Sequence, residues 1–270
     1  MPGGRGSVAL ALLAGLAVAA PARALNFFEL EVYPATTEGK GLHELESTSS
    51  YVANGRAGSA EGEDEPPRNR LLRTSLEYDY GLTDRIDVAT YLDLQRPNGA
   101  DVEYAGSRFR ARGALWEKGE FPVDLGWYVE AEVPHDTESQ LELEFRPILS
   151  RDVGRFSVDL NPSFELPTVS EERRTLEFNY AARVYYRLSR RLVPGIEFYG
   201  GIGQIRAIDG SQEQEHYIFP TLYGRLARGL KFVAGPGFGL TRASDPVILK
   251  LGLEYEFTLG GGAVPASPTY

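Results

Sequence analysis

The chain has 270 residues, 42% of them hydrophobic and 24% charged, with 30 Gly, 17 Pro and no Cys, which excludes zinc ribbons, disulfide scaffolds and thiol catalysis. A mean hydropathy of −0.27 with 11% aromatic residues excludes a disordered chain. The net charge of −10, with 28 Lys and Arg against 38 Asp and Glu and no basic cluster, argues against nucleic-acid binding.

Residues 1–24 read as a cleaved export signal. Arg5 supplies the positive start, Val8 to Ala20 the apolar stretch and Ala22-Arg23-Ala24 the small-x-small cleavage pattern. Beyond it no uncharged apolar run approaches the roughly 18 residues that a spanning helix needs. Residues 25–41 follow. Phe28, Leu30 and Val32 alternate there with Glu29 and Glu31, which fits either a short strand or a plug tucked into a lumen.

From residue 42 the period is two. Alternation predicts strands at 42–54, 70–80, 86–95, 103–116, 123–134, 140–150, 156–166, 175–188, 193–206, 216–227, 230–241 and 247–257. In the third, Ile86, Val88, Thr90, Leu92 and Leu94 oppose Asp87, Ala89, Tyr91, Asp93 and Gln95. Strands of soluble sandwiches run about five or six residues. These are about twice as long, as a tilted bilayer-crossing strand must be. Tight turns such as Gly81 to Arg85, Arg151 to Arg155 and Arg228-Gly229 alternate with longer polar loops such as Gly55 to Asn69. The expected fold is therefore all-β, a transmembrane antiparallel up-and-down β-barrel of about 12 strands over residues 42–257, with a tail at 258–270. An even strand number puts both ends of the barrel on the short-turn, periplasmic side.

Hydrocarbon forces every backbone N–H and C=O to find a protein partner, which closed barrels achieve. The leucine and valine faces then meet outer-membrane lipid, and the charged faces line the lumen. Tyr78, Tyr80, Trp127, Tyr186, Tyr255 and Phe257 are candidates for interfacial girdles. In the last strand Gly252, Tyr255 and Phe257 resemble the signal read by the outer-membrane insertion machinery, although residues 258–270 follow where that signal usually ends a protein.

The lumen carries the candidate site. Arg108, Arg110 and Arg112 share one face of one strand, Asp124, Glu130 and Glu132 fall on the next, and Glu142, Glu144 and Arg146 on the one after. Arg183 and Arg187 point the same way from a later strand. Strands lie about 4.8 Å apart, so these rows can form cross-strand ion pairs. Two readings stay open: a constriction that orients an anionic or aromatic solute, or a structural ladder that neutralises lumen charge.

The stretch Thr74 to Asp87 resembles the strand–turn–strand of a bacterial outer-membrane group of transporters labelled "MetA-pathway of phenol degradation" proteins. Tyr104 to Ser107, Asp152 to Phe156, Glu197 to Gly201 and His216 to Pro220 fit the same likeness. What the resemblance implies is an outer-membrane barrel that passes small compounds, aromatic ones among them.

The expected function is a passive channel or facilitator for small solutes in the bacterial outer membrane. The partners expected are outer-membrane lipid, the insertion machinery and a small-molecule solute. An occluded structural barrel and a soluble periplasmic β-sandwich or lipocalin-like binder are the alternatives. An outer-membrane hydrolase would need a His beside a Ser or an acid. The chain offers His43, His135 beside Asp136, and His216 after Glu213 and Glu215, without the phospholipase His-x-Ser-Asn run. No enzymatic activity, cofactor or metal ligand spacing is expected.

Overall fold

The computed structural model describes residues 26–55, 66–135, 141–167, 176–189 and 191–259. The export signal, the acidic loop residues Glu61 to Glu65, Asp136 and the tail from Gly260 lie outside the described residues. The strands are β1 (His43–Asn54), β2 (Leu72–Thr83), β3 (Ile86–Arg96), β4 (Glu103–Ala114), β5 (Asp124–Pro134), β6 (Glu142–Val153), β7 (Phe156–Pro167), β8 (Glu177–Tyr186), β9 (Leu192–Gln204), β10 (Ala207–Ile208), β11 (Glu215–Ala227), β12 (Leu230–Gly239) and β13 (Val247–Phe257). All twelve long strands read from the alternation form. The two-residue β10 is an addition that pairs only with β9 inside a long loop.

Every long strand pairs antiparallel with its sequence neighbours, and β13 returns to pair with β1 from His43↔Phe257 to Asn54↔Val247. The sheet is thereby a closed barrel of twelve strands, with no free edge among them. A sandwich of two stacked sheets is excluded by this closure.

The radial sorting of side chains follows the period of two. Leu76, Leu92, Phe109, Phe145, Leu160, Ile196, Leu222 and Leu251 point outward and are exposed, while Glu77, Asp93, Arg108, Arg146, Asp159, Glu197 and Lys250 point inward and are buried. A soluble binder has the opposite arrangement. All six aromatic residues read as girdle candidates lie in the half of the barrel nearer the short turns. There His43 stacks on Phe257 at 5.3 Å and bonds the Tyr78 hydroxyl at 2.7 Å, and Tyr186 packs on Phe156.

Residues 26–42 are not a strand of the sheet. They thread the lumen from the long-loop end, where Phe27 packs on Tyr217, to the short-turn end, where they run into β1. Phe27, Leu30 and Val32 join Val52, Leu71, Tyr199, Phe219 and Ile248 in one apolar cluster, and Tyr33 and Ala35 join Tyr128 and Ile148 in another. The final bend uses Gly41 at φ 77°, a conformation that suits glycine, and its N–H donates to the Gly81 carbonyl at 2.8 Å. At Gly81 a Cβ would collide with the Gly39 carbonyl oxygen.

This sorting predicts a depth-dependent cost for outward charge. Leu92→Arg, in mid-strand, should cost about 2–4 kcal/mol, and Leu82→Arg, beside a short turn, less than about 1 kcal/mol. Denaturant unfolding of the protein in lipid vesicles measures both. Equal costs would contradict a hydrocarbon belt around the middle of the barrel.

Candidate functional site: the ion-paired lumen and its internal segment

The arginine row on β4 forms because residues 108, 110 and 112 share the inward parity of one strand. All three guanidinium groups are buried, and each is spent on carboxylates. Arg108 donates from Nε to Asp93 at 2.8 Å, from Nη2 to Ser75 at 2.9 Å and from Nη1 to Glu29 at 3.1 Å. Its charge also lies 4.2 Å from the centre of the Tyr91 ring. Arg110 donates to Glu77 at 2.6 Å, to Asp87 at 3.1 Å and to Asp79, and Arg112 donates to Asp87 at 2.8 Å. The row therefore leans back onto β2 and β3. On the facing β5, Glu130 lies 3.5 Å from Arg108.

The other sequence-read residues divide by depth. Arg146 pairs with Glu144 at 2.5 Å, and Arg183 pairs with Asp159 at 2.8 Å. Glu132 accepts a 3.3 Å hydrogen bond from Asn26, and Glu142 is buried on the lumen wall. Two residues depart from the expectation. Asp124, although buried, accepts the Gly119 N–H at 2.6 Å and so serves the turn before β5. Arg187 lies past the end of β8, where the expected strand ran on to residue 188, and pairs with Asp152 at 3.0 Å on the rim. In β13, Gly252 faces inward, Tyr255 faces outward, and Phe257 stacks on both His43 and Tyr255.

A second network was not legible as such. Lys250 reaches Glu197 at 2.9 Å and the Tyr199 hydroxyl at 3.1 Å. Lys231 reaches Glu254 at 2.5 Å and Glu256 at 2.7 Å. Inward parity on β12 was the only sequence signal for Lys231. At the long-loop end Arg68, from the loop before β2, meets Glu215 at 2.5 Å and covers Phe27.

The internal segment is held by polar contacts along its length. Tyr33 N–H donates to Asn161 Oδ1 at 2.7 Å, and Asn161 Nδ2 donates back to the Tyr33 carbonyl at 2.9 Å. Ala35 N–H donates to Ser150 at 2.8 Å, and Ser50 donates to the Phe27 carbonyl at 2.8 Å. The Tyr33 ring lies between the Arg110, Arg112 and Arg146 guanidinium groups, 5.2 to 5.5 Å from each. Glu29 is the strongest anchor, with Arg108 on one oxygen and Arg146, at 3.0 Å, on the other.

Between the segment and the wall, in the half nearer the short turns, lies a cavity of about 250 Å³. Glutamates dominate its lining: Glu31, Glu38, Glu44, Glu46, Glu77 and Glu254 face Arg110, Arg112, Arg183 and Lys231. Among the described residues no imidazole ring hydrogen-bonds a serine hydroxyl or a carboxylate. His43 bonds Tyr78, and His216 bonds Tyr180 and Gln214.

Glu29→Gln should loosen the segment, because it leaves two buried arginines short of an anion. The expected loss is about 3 kcal/mol. It should appear as roughly hundredfold faster amide exchange at Tyr33 and Ala35 with mid-strand amides of β7 unchanged. Unchanged exchange at Tyr33 would show that the apolar contacts alone seat the segment.

No protein-family model matches the chain, and no curated protein matches it in sequence. Solved structures do share its fold. The KdgM porin superimposes with a TM-score of 0.56 at 9% identity, over 79% of this chain and 99% of that one. An outer membrane channel from Pseudomonas putida F1 superimposes with a TM-score of 0.57 at 14% identity, over 84% of this chain and 100% of that one. At these identities the likeness is one of architecture: the chain shares the closed barrel of bacterial outer-membrane channels.

Proposed function

We propose that the protein is an outer-membrane channel for small solutes, closed in this conformation by its own residues 26–42. The observation that carries this reading is an ionic lumen inside an apolar shell, filled by a segment that joins the barrel only at β1. Such a filling can withdraw without breaking a strand pair, whereas a core made from the wall itself cannot. In this proposal residues 1–24 direct export and are removed. The Gly252, Tyr255 and Phe257 strand is then read by the insertion machinery, and the outward leucines settle in outer-membrane lipid.

Charge sets the solute preference. Among the described residues, sixteen of the buried charged side chains are acidic and nine are basic. The arginines on β4, β6 and β8 are already paired with carboxylates, so the excess is negative and a field of that sign concentrates cations. Tyr91 and Tyr128, each beside an arginine, give the opened throat flat faces on which an aromatic solute stacks, in line with the family resemblance. Solute movement down its gradient needs no reacting group, and the proposed activity is not enzymatic. An occluded structural barrel is the second reading, favoured by the density of contacts that hold Glu29 and Tyr33.

Planar-bilayer recording separates the two. The mature chain should show rare or small openings, and the chain lacking residues 25–41 should show steady openings with a reversal potential that favours cations. Because the deletion can impair assembly, a Glu29→Ala, Tyr33→Ala variant that keeps the full chain should behave in the same direction. Silence from all three proteins, each verified as folded by heat-modifiable gel migration, would establish the occluded barrel.

A further inference from the structure

We infer that the rim formed by the turns before β7, β9 and β12 binds an anionic phospholipid, its phosphate held by arginines and its acyl chains laid along the outer wall. The inference needs the barrel to sit in a bilayer and is indifferent to whether it conducts.

Three successive short turns meet at this rim. They carry Arg151, Arg155, Arg187, Arg191, Arg225 and Arg228, and among their described residues Asp152 is the one acid. The turns before β3 and β5 are balanced by contrast, with Arg85 and Lys118 against Asp84, Glu117 and Glu120. Hydrogen bonds between turns fix the spacing of the arc. Arg155 donates from Nε to the Arg187 carbonyl at 3.1 Å and from Nη2 to the Leu188 carbonyl at 2.9 Å. The Arg225 N–H donates to the Arg191 carbonyl at 3.0 Å.

Positive charge is left over here. Asp152 is already shared between Arg187 at 3.0 Å and Lys118 at 3.1 Å. Arg151, Arg155, Arg191, Arg225 and Arg228 meet no carboxylate among the described residues, whereas the lumen arginines on β4 are all spent on acids. An exposed arc of one sign draws an anion.

A second, apolar observation narrows the anion to a lipid. Val153, Phe156, Leu188 and Leu226, at the same three turns, are each more than half exposed. They continue the outward belt of the wall: Arg151 itself has the outward parity of Phe145 and stands opposite Val158. The Arg155 guanidinium lies 5.3 Å from the centre of the Tyr186 ring, which packs on Phe156 at 4.9 Å. A partner that satisfies both sets must join an anionic headgroup directly to hydrocarbon chains. Arginine suits a phosphate, since its planar fork donates to two oxygens at once. Its long stem also lies along apolar surface while the charge reaches headgroup level.

Native mass spectrometry of the full mature protein in detergent, with phosphatidylglycerol or phosphatidylcholine added at equal concentration, tests the assignment. Phosphatidylglycerol should bind at least about tenfold more tightly, and the preference should shrink as sodium chloride is raised. Arg191→Gln and Arg228→Gln should each weaken phosphatidylglycerol binding about fivefold, and Arg85→Gln, outside the arc, should leave it within about twofold. Folding of each variant into phosphatidylcholine vesicles, read by heat-modifiable gel migration, tests the barrel separately from the arc. The two arc variants sit on different turns, so failure of one to fold leaves the other as the test. Glycerol phosphate, the headgroup without its chains, should displace the lipid only at roughly hundredfold excess. Equal affinity for the two lipids, displacement by glycerol phosphate at equal concentration, or unchanged binding in whichever arc variant folds would overturn the assignment.

Discussion

Hydrocarbon offers no partner to a backbone N–H or carbonyl, and this one constraint orders everything else in the molecule. It forces the twelve long strands to close β13 onto β1, because an open edge would leave a row of polar groups without partners. Closure fixes an inside and an outside, and the period of two then assigns each side chain to one of them. The leucines that line the outer surface leave the interior to Asp, Glu, Arg, Tyr and Ser. The interior is the side of the wall on which so many charges are kept away from hydrocarbon.

Keeping them still requires pairing. Arginine does most of it, since one planar group donates in several directions at once: Arg108 reaches Ser75, Asp93 and Glu29 from three different nitrogens. Lysine appears where a point charge must satisfy several carboxylates at one spot, as Lys231 does among Glu44, Glu254 and Glu256. The internal segment belongs to the same economy of charge. Its Glu29 completes the shells of Arg108 and Arg146, and its Tyr33 fills the space between three guanidinium groups. Wall and segment are therefore not a container and its contents, since each satisfies groups that the other leaves over.

The strands were legible because alternation is a property of sequence alone, and Asp87, Ala89, Tyr91 and Asp93 face the lumen as their parity requires. The direction of the arginine ladder was not legible. Arg108 and Arg110 stand beside Glu132 and Glu130 in register, yet their long side chains reach Asp93 on β3 and Glu77 on β2, acids that the register alone does not single out. The segment was ambiguous for a related reason. Its alternation from Phe28 to Val32 imitates a strand, but Phe27, Leu30, Val32 and Tyr33 are all buried, because a chain enclosed on every side has no solvent face. Arg187 followed the parity of β8 and failed only because the strand stops at Tyr186.

The strand that carries the segment is also one side of the seam. β1 begins just after Gly41 and zips to β13 along its whole length, so the last gap in the wall shuts next to the point where the internal stretch enters. A cylinder cannot be loaded through its side once sealed, and the loops at the far mouth bring Arg68 down over Phe27. The order of assembly follows from this geometry: residues 26–42 must lie in the groove of a still-open sheet before the seam zips, or else be fed in later from the end at which they are tethered. By either route the seating of residues 26–42 and the zipping of β1 to β13 take place at the same end of the wall.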